Sequence, residues 1–409
     1  MEAMRHRGRF WWINRNVAGM TITSFFGDVG YEMVNAVLPG FLASIGVAPA
    51  ALGWIEGASD ALSSFIKLGA GWYSDRLGRR KPVVTLGYLL SGSAMSLFAL
   101  AVSWPIILAG RLVAWFGRGI RAPLRDAMLF ESAAPEARGK VFGLHRAGDT
   151  AGAVLGPLLG VALLSTLPRP NASAPYRAIF LVSLIPGMLA AVSMAFLVRE
   201  TRAAGSPRQR LWTSVCALPR PYLRFLAGVG LFGMGDFAHT LLTLAATQLL
   251  TPRYGVSRAG EIAALLYMLH NAVSALAAFV AGVWADRANK RVLLAFAYFL
   301  GGATGFAMAA LFFRNAAAAA ALIGVFILAG VFLGFQDSLE GAIPGGMVGA
   351  EVRGTAYGLM GAVNGAGDLV ASALTGTLWT LVSPAAAFCC AGSLMLAGCA
   401  MTLFNAIDR

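Results

Sequence analysis

The sequence predicts an all-α polytopic membrane protein, with twelve transmembrane helices arranged as two pseudo-symmetric six-helix bundles. Three observations predict it. Hydrophobic residues make up 58% of the 409, charged residues only 12% against about 25% in a soluble protein, and mean hydropathy is +0.69. A water-facing fold this apolar has too little polar surface to cover itself. Twelve apolar stretches of spanning length follow one another with short polar loops between them. The two halves of the chain also repeat the same charged signposts at nearly one offset, which a chance likeness of apolar helices does not produce.

The elements follow in order. Met1 to Arg15 carries Arg5, Arg7, Arg9 and Arg15 around Phe10, Trp11 and Trp12, a basic interfacial lead-in without the cleavage site of a signal peptide. Spans are expected near 17–43, 50–72, 82–102, 105–127, 139–166, 176–198, 223–250, 258–283, 291–313, 316–338, 353–381 and 384–406. Each must be helical, because the bilayer core offers no water to an open backbone. The polar, basic stretch 199–221 separates six spans from six, so the expected bundles are 1–198 and 222–409 joined by a linker. Basic residues crowd the loops on the side of the N-terminus (Arg76, Arg79, Arg80, Lys81, Arg138, Lys140 and their second-half counterparts). The other side holds only Arg169, Arg177, Arg253, Arg258 and Arg314. The positive-inside bias therefore places both termini in the cytoplasm. The preference for arginine over lysine and the abundance of alanine suggest a GC-rich bacterial genome, hence a plasma (inner) membrane.

Composition also excludes classes. The net charge of +13 is spread over loops, so it reports topology and not a nucleic-acid surface. Cys216, Cys389, Cys390 and Cys399 lack metal-ligand spacing and read as packing residues; no metal or cofactor is expected. No HExxH, Gly-x-Ser-x-Gly or phosphate-cradling loop suggests an enzyme.

The repeat carries the most specific signal. Gly71-Trp72-Tyr73-Ser74-Asp75-Arg76-Leu77-Gly78-Arg79-Arg80 follows span 2, and Gly282-Val283-Trp284-Ala285-Asp286-Arg287 follows span 8. Glu136, Arg138, Gly139, Phe142 and Gly143 at span 5 are echoed by Glu351, Arg353, Gly354, Tyr357 and Gly358 at span 11. With these residues the whole chain resembles the major facilitator superfamily, whose loop signature G-x-x-x-D-R-x-G-R-R is complete at 71–80 and partial at 282–291, where Asn289 replaces the second glycine. The resemblance implies that Asp75 locks the termini side against the start of span 11, with Arg76, Arg79, Arg80, Arg125, Asp286 and Arg287 as further gating residues. The energetics are reasonable, since a carboxylate at a helix N-terminus gains about 0.3–1 kcal/mol. The superfamily's span 4 motif R-x-x-x-G-x-G, tied to proton coupling, is met by Arg111 and Gly117, but Trp115 stands at its first glycine. Gly152-x-x-x-Gly156-Pro157-x-x-Gly160 in span 5 is similar to the signature of proton-linked exporters, with Val161 at its last glycine, and this resemblance implies export.

The charges inside the spans point to function. Span 4 carries Arg111, Arg118, Arg121 and Arg125, each costing about 2.5–3.5 kcal/mol at mid-bilayer. Arg111, Arg118 and Arg125 share one helix face, so that face meets a cavity or paired acids instead of lipid. Asp28, Glu32 and Asn35 share a face of span 1, and Glu56 and Asp60 a face of span 2 beside Lys67. Span 5 offers His145, Arg146 and Asp149, and span 7 offers Asp236. Together with Arg118 these form the expected substrate and proton pathway. The rest of the second half looks poorer: His239, His270 and Asn271, then Asp337 and Glu340 in span 10, Asn364 and Asp368 in span 11. The coupling site is expected at Asp28 and Glu32 facing Arg118, where burial favours the neutral acid and an arginine favours the carboxylate.

The expected function is a proton-coupled secondary active transporter that moves a small organic solute by alternating access, with an anionic or zwitterionic solute favoured and export preferred. Its partners are the solute, protons and the lipid bilayer; it needs no cofactor beyond the proton gradient and acts as a monomer. A passive facilitator or channel, or a proton-coupled importer of the same solutes, are the alternatives. A passive pore has no need of buried titratable pairs.

Overall fold

A computed structural model describes residues 12–74, 79–134, 137–168, 170–200, 216, 218–285, 288–314, 319–348 and 353–407. Span 1 is Arg15–Ser44, span 2 Pro49–Ser74, span 4 Trp104–Ser132 and span 5 Arg138–Thr166. Span 3 runs as an α-helix over Lys81–Ala94 and tightens into a 3-10 turn over Met95–Leu100. Span 6 is two helices, Ala174–Val182 and Leu184–Leu197, offset at Ser183. Span 7 opens with Arg220–Gly233, and helical residues then extend over His239–Ala285, interrupted by non-helical backbone at Gly255. Gly255, with φ of 74°, turns the chain within that run and divides span 7 from span 8. Spans 9 to 12 are Lys290–Phe313, Ala319–Ala342, Arg353–Leu381 and Pro384–Ile407.

Local chemistry sets the ends. The Asn14 side chain accepts from the Val17 N–H at 3.0 Å, capping span 1. Pro82 and Pro105 sit in the first turns of spans 3 and 4, where their missing N–H costs nothing. Glu200, after span 6, accepts from the Arg80 and Lys81 N–H groups at 2.9 and 3.1 Å and caps span 3. Arg80 also bonds Glu131 at 2.5 Å, tying the ends of spans 3, 4 and 6 together on the termini side.

Among the described residues, seven helical stretches are long and apolar enough to cross a membrane: spans 3, 5, 6, 9, 10 and 12, and the continuous run of spans 7 and 8. The others, spans 1, 2, 4 and 11, hold charged residues within their length and line the centre. Span 2 packs along span 11, span 1 along span 5 and span 8, and span 5 against span 8, so the two sets of six meet through spans 1, 2, 5, 8 and 11.

One expectation is corrected here. Span 7 was expected as a continuous helix over 223–250, but the structure breaks it at 234–238. The cause is steric. A Cβ on Gly235 would lie 2.5 Å from the Ala391 carbonyl of span 12, so the glycine lets the backbones touch and the helix yields there. The break leaves Asp236 on irregular backbone at mid-membrane, which a bilayer tolerates only beside protein or a wet cavity.

The side away from the termini is sealed. A Cβ on Gly53 would overlap the Ser372 carbonyl of span 11, and one on Gly376 would lie 2.7 Å from the Pro49 carbonyl. Gly40 and Gly260 both approach the Tyr176 hydroxyl, which lies 2.9 and 2.7 Å from where their Cβ atoms would be. Val34 to Leu42 and Thr240 to Thr247 are buried throughout. On the termini side Lys67 and Asp337 are exposed, so the central cavity opens that way.

Candidate substrate cavity

A cavity of about 370 Å³ lies between the two sets of helices, within the range of small-molecule sites. Tyr31, Asp60, Lys67, Trp115 and Arg118 line it from spans 1, 2 and 4; Asp236, Gln336, Asp337, Glu340 and Asp368 line it from spans 7, 10 and 11. The guanidinium of Arg118 sits 4.7 Å from the Tyr31 ring centre and 5.8 Å from that of Trp115. No carboxylate among the described residues comes within 4 Å of it. Arg118 is thus a cation resting on aromatic faces with its donors turned to the cavity.

Arg111, two turns earlier, is 1% exposed and differs in every respect. It donates to Asn35 Oδ1 at 2.6 Å and forms an ion pair with Glu56, itself 3% exposed. Its guanidinium lies 3.8 Å from the Trp115 ring centre, so the indole stands between this ion pair and the cavity. Trp115 is anchored by donating from Nε1 to Asp60 at 2.6 Å.

A third network lies inside the first six spans toward the termini. Arg125 bonds Asp126, and donates to Ser24 at 2.9 Å and Tyr88 at 3.4 Å; His145 meets Ser24 at 3.4 Å and Asp149 at 3.8 Å. Arg121 stacks over Tyr88 at 3.9 Å.

The family model described as Major Facilitator Superfamily matches residues 20–322 and 237–408. The chain belongs to that superfamily. It is therefore a membrane transporter of many spans and not an enzyme. The chain is 28% identical over 376 residues to an uncharacterised MFS-type transporter of Methanocaldococcus jannaschii, covering 92% of this chain and 91% of that one. A multidrug resistance protein B homolog of Mycobacterium tuberculosis is 30% identical over 194 residues, 47% of this chain and 34% of that one. Among solved structures, a bacterial homolog of the human lysosomal transporter Spinster, inward-facing and unoccupied, is similar with a TM-score of 0.70 at 16% identity, over 95% and 94% of the two chains. The twelve-helix fold of the superfamily is thereby shown. The bacterial origin expected from composition is not supported by the archaeal relative.

The family's structure separates the predicted site residues. Arg118, Asp60 and Asp236 line the cavity, while Asn35 and Glu56 are spent on Arg111 beneath Trp115. Glu32 does not pair with Arg118, as the sequence suggested. It accepts instead from the Tyr267 hydroxyl at 2.9 Å and the Asn271 amide at 3.4 Å, both in span 8 of the other half. Span 1 crosses span 8 closely at Ala36 and Ala264, and this brings Glu32 to span 8. Asp28 packs over span 5, where the position of a Cβ on Gly152 is 3.0 Å from its own Cβ, and it makes no ion pair with Arg118 among the described residues. Arg146 reaches Asp337 of span 10 at 3.9 Å across the termini-side opening. Asp75, Arg76, Asp286 and Arg287 lie outside the described residues; Arg79 is exposed, and Arg80 is held by Glu131. Sequence reasoning passed over Gln336, Glu340 and Asp368 as cavity residues and missed Tyr267. The glycine pair Gly233 and Gly235 before Asp236 was the available signal for a broken helix in span 7.

Proposed function

We propose that this chain is a proton-coupled secondary active transporter that carries a small organic solute through the cavity by alternating access. The observation that carries the reading is Glu32, an intramembrane carboxylate of span 1 held by two hydrogen bonds from span 8. As a carboxylate Glu32 accepts charge-assisted bonds from Tyr267 and Asn271, each worth about 1.5–3 kcal/mol. Protonation removes the charge and weakens both, which loosens span 1 from span 8. A proton arriving at Glu32 therefore favours opening on the side away from the termini, and its loss favours the closed arrangement described above. This is the differential interaction that coupling requires.

The solute sits between Arg118 and the opposite wall. Arg118, stacked on Tyr31 and without an ion pair among the described residues, supplies the contact for an anionic group, which suits an anionic or zwitterionic solute. The moving bodies are the bundles 1–198 and 222–409. Both termini face the cytoplasm of a bacterial inner membrane, the chain acts as a monomer, and export is the preferred direction. Residues 201–215 and 217 of the linker at 199–221 lie outside the described residues.

The test is to reconstitute Glu32→Gln and measure proton-driven transport and solute exchange separately. Loss of the driven mode with exchange retained supports the reading. Full driven transport in Glu32→Gln, with transport still abolished by a protonophore, removes Glu32 from coupling.

A further inference from the structure

The cavity walls have opposite charge. The lining from spans 7, 10 and 11 holds four carboxylates and no lysine or arginine, whereas spans 1, 2 and 4 supply Lys67, Arg118 and one carboxylate, Asp60, already engaged by Trp115. Two acids of the second wall, Asp236 and Glu340, are held by neutral groups. Gln336 Nε2 donates to Asp236 Oδ2 at 2.9 Å; Tyr298 and Asn364 each donate to Glu340 at 2.7 Å. Among the described residues, Asp337 alone of the four carboxylates has a cation within 4 Å, Arg146 at 3.9 Å near the exposed mouth.

A second observation points to a missing donor. Gln336 is 8% exposed and lines the cavity, yet among the described residues its Oε1 has no partner, and neither does Asp236 Oδ1 beside it. The Gln336 amide turns its nitrogen to the carboxylate, which can only accept, so its oxygen is left as a second acceptor. Unmet acceptors at this depth are costly, at about 1–3 kcal/mol each. Gln336 and Glu340 lie one helical turn apart on span 10, Asn364 and Asp368 one turn apart on span 11, and Asp236 on the broken backbone of span 7. Three elements thus present acceptors to one place, and the cations that share the cavity, Lys67 and Arg118, stand on the opposite wall with no ion pair to these acids among the described residues.

We infer that the wall formed by Asp236, Gln336, Glu340 and Asp368 binds a protonated amine of the transported solute, so that the solute is an organic ammonium or a zwitterion and not a simple anion. An ammonium has only donors to offer, which matches a wall of acceptors. Phe232 and Phe237 of span 7 and Tyr31 of span 1 give an apolar body its place between the charged ends, and Arg118 takes the carboxylate of a zwitterion. A solute that touches both walls binds best when they approach, which is the step alternating access needs. This inference rests on the cavity being the solute site and not on proton coupling.

The test uses three probes of one shape: phenethylamine, phenylalanine and 3-phenylpropionate. Each is titrated into the purified full-length protein in nanodiscs without a gradient, with quenching of tryptophan fluorescence and thermal stabilisation as readouts. Phenethylamine and phenylalanine are expected to bind and 3-phenylpropionate to bind at least tenfold more weakly, about 1.4 kcal/mol. Asp236→Asn with Glu340→Gln should weaken phenethylamine at least tenfold. Gln336→Leu, which leaves every charge in place, should weaken it severalfold and serves if the double variant does not fold. Arg118→Gln should weaken phenylalanine and spare phenethylamine. Binding of 3-phenylpropionate as tight as that of the amine, no binding of phenethylamine at millimolar concentration, or amine binding unchanged in Asp236→Asn and Gln336→Leu would each overturn the inference. An equal Asp236-dependent stabilisation by sodium over potassium would assign the wall to a metal cation and overturn it too. Because no gradient is used, a failure of coupling at Glu32 leaves these results unaffected.

Discussion

Arg111 and Arg118 lie two turns apart on one face of one helix, and their surroundings give them different work. Arg111 is sealed with Glu56 and Asn35, its charge and its two terminal nitrogens engaged by neighbours that do not line the cavity. Arg118 has rings beneath it and open cavity ahead. The dividing feature is Trp115, which rests against the Arg111 guanidinium on one face and lines the cavity with the other. A tryptophan where the resembled signature has glycine thus packs the arginine of that motif away from the cavity, while Arg118, without an ion pair among the described residues, faces it. The same residue type on the same stripe is structural or functional according to what the adjacent helices bring to it.

Four changes break or sharpen this contrast. The largest effect belongs to Arg111→Met, which leaves Glu56 buried without its partner and should cost about 3–5 kcal/mol. Expression and thermal stability in detergent should fall sharply, and adding Glu56→Leu should recover most of the loss. A variant as stable as the parent but unable to transport would erase the contrast. Next comes Trp115→Gly, expected to cost about 3 kcal/mol or more by opening a void. In a background without the four native cysteines, a cysteine introduced by Asn35→Cys should react with a small thiol reagent only when Trp115 is also removed. Equal reactivity with Trp115 present would show that the indole is no partition. Arg118→Gln should leave unfolding within about 1 kcal/mol of the parent, while affinity for a zwitterionic solute drops about tenfold, or 1.4 kcal/mol. Arg118→Lys should restore part of that affinity, and Arg111→Lys should not restore stability, because an ammonium cannot serve Asn35 and Glu56 in the same fork geometry. The smallest effect is salt. Solute binding at the hydrated Arg118 should weaken severalfold between low and about 1 M ionic strength, where the screening length falls to roughly 3 Å. Unfolding differences attributed to Arg111 should not move.

The span count, the duplicated signposts and the crowding of charge in spans 1, 2 and 4 were all legible in the sequence. These follow from hydropathy and periodicity, which are local. Partners were not legible. Glu32 lies 235 residues from Tyr267, and no spacing rule connects them. The first half looked like the richer source of cavity chemistry because it has more charged residues, yet much of that charge is neutralised within it, as with Glu56 on Arg111 and Asp126 on Arg125. The second half has fewer acids, but Asp236, Glu340 and Asp368 line the cavity with no lysine or arginine within 4 Å of them among the described residues. Counting residues measures the first quantity; function depends on the second. The broken helix at 234–238 was masked for a similar reason, since apolar hydropathy continues across it while the close approach of Gly235 to span 12 is visible only in three dimensions.

The seam on the side away from the termini, where Gly53 and Gly376 let spans 2 and 11 meet main chain to main chain, is a clasp without a key. Its cohesion comes from many contacts of about 0.1–0.2 kcal/mol each, none of which responds to acid, ionic strength or cargo. Such a clasp cannot judge what it shuts behind, so selectivity and timing have to be settled deeper in the protein, before it shuts. It is also intolerant of bulk: one methyl group, as in Gly53→Ala, props it open. The molecule could then fill its cavity normally and yet never complete a stroke.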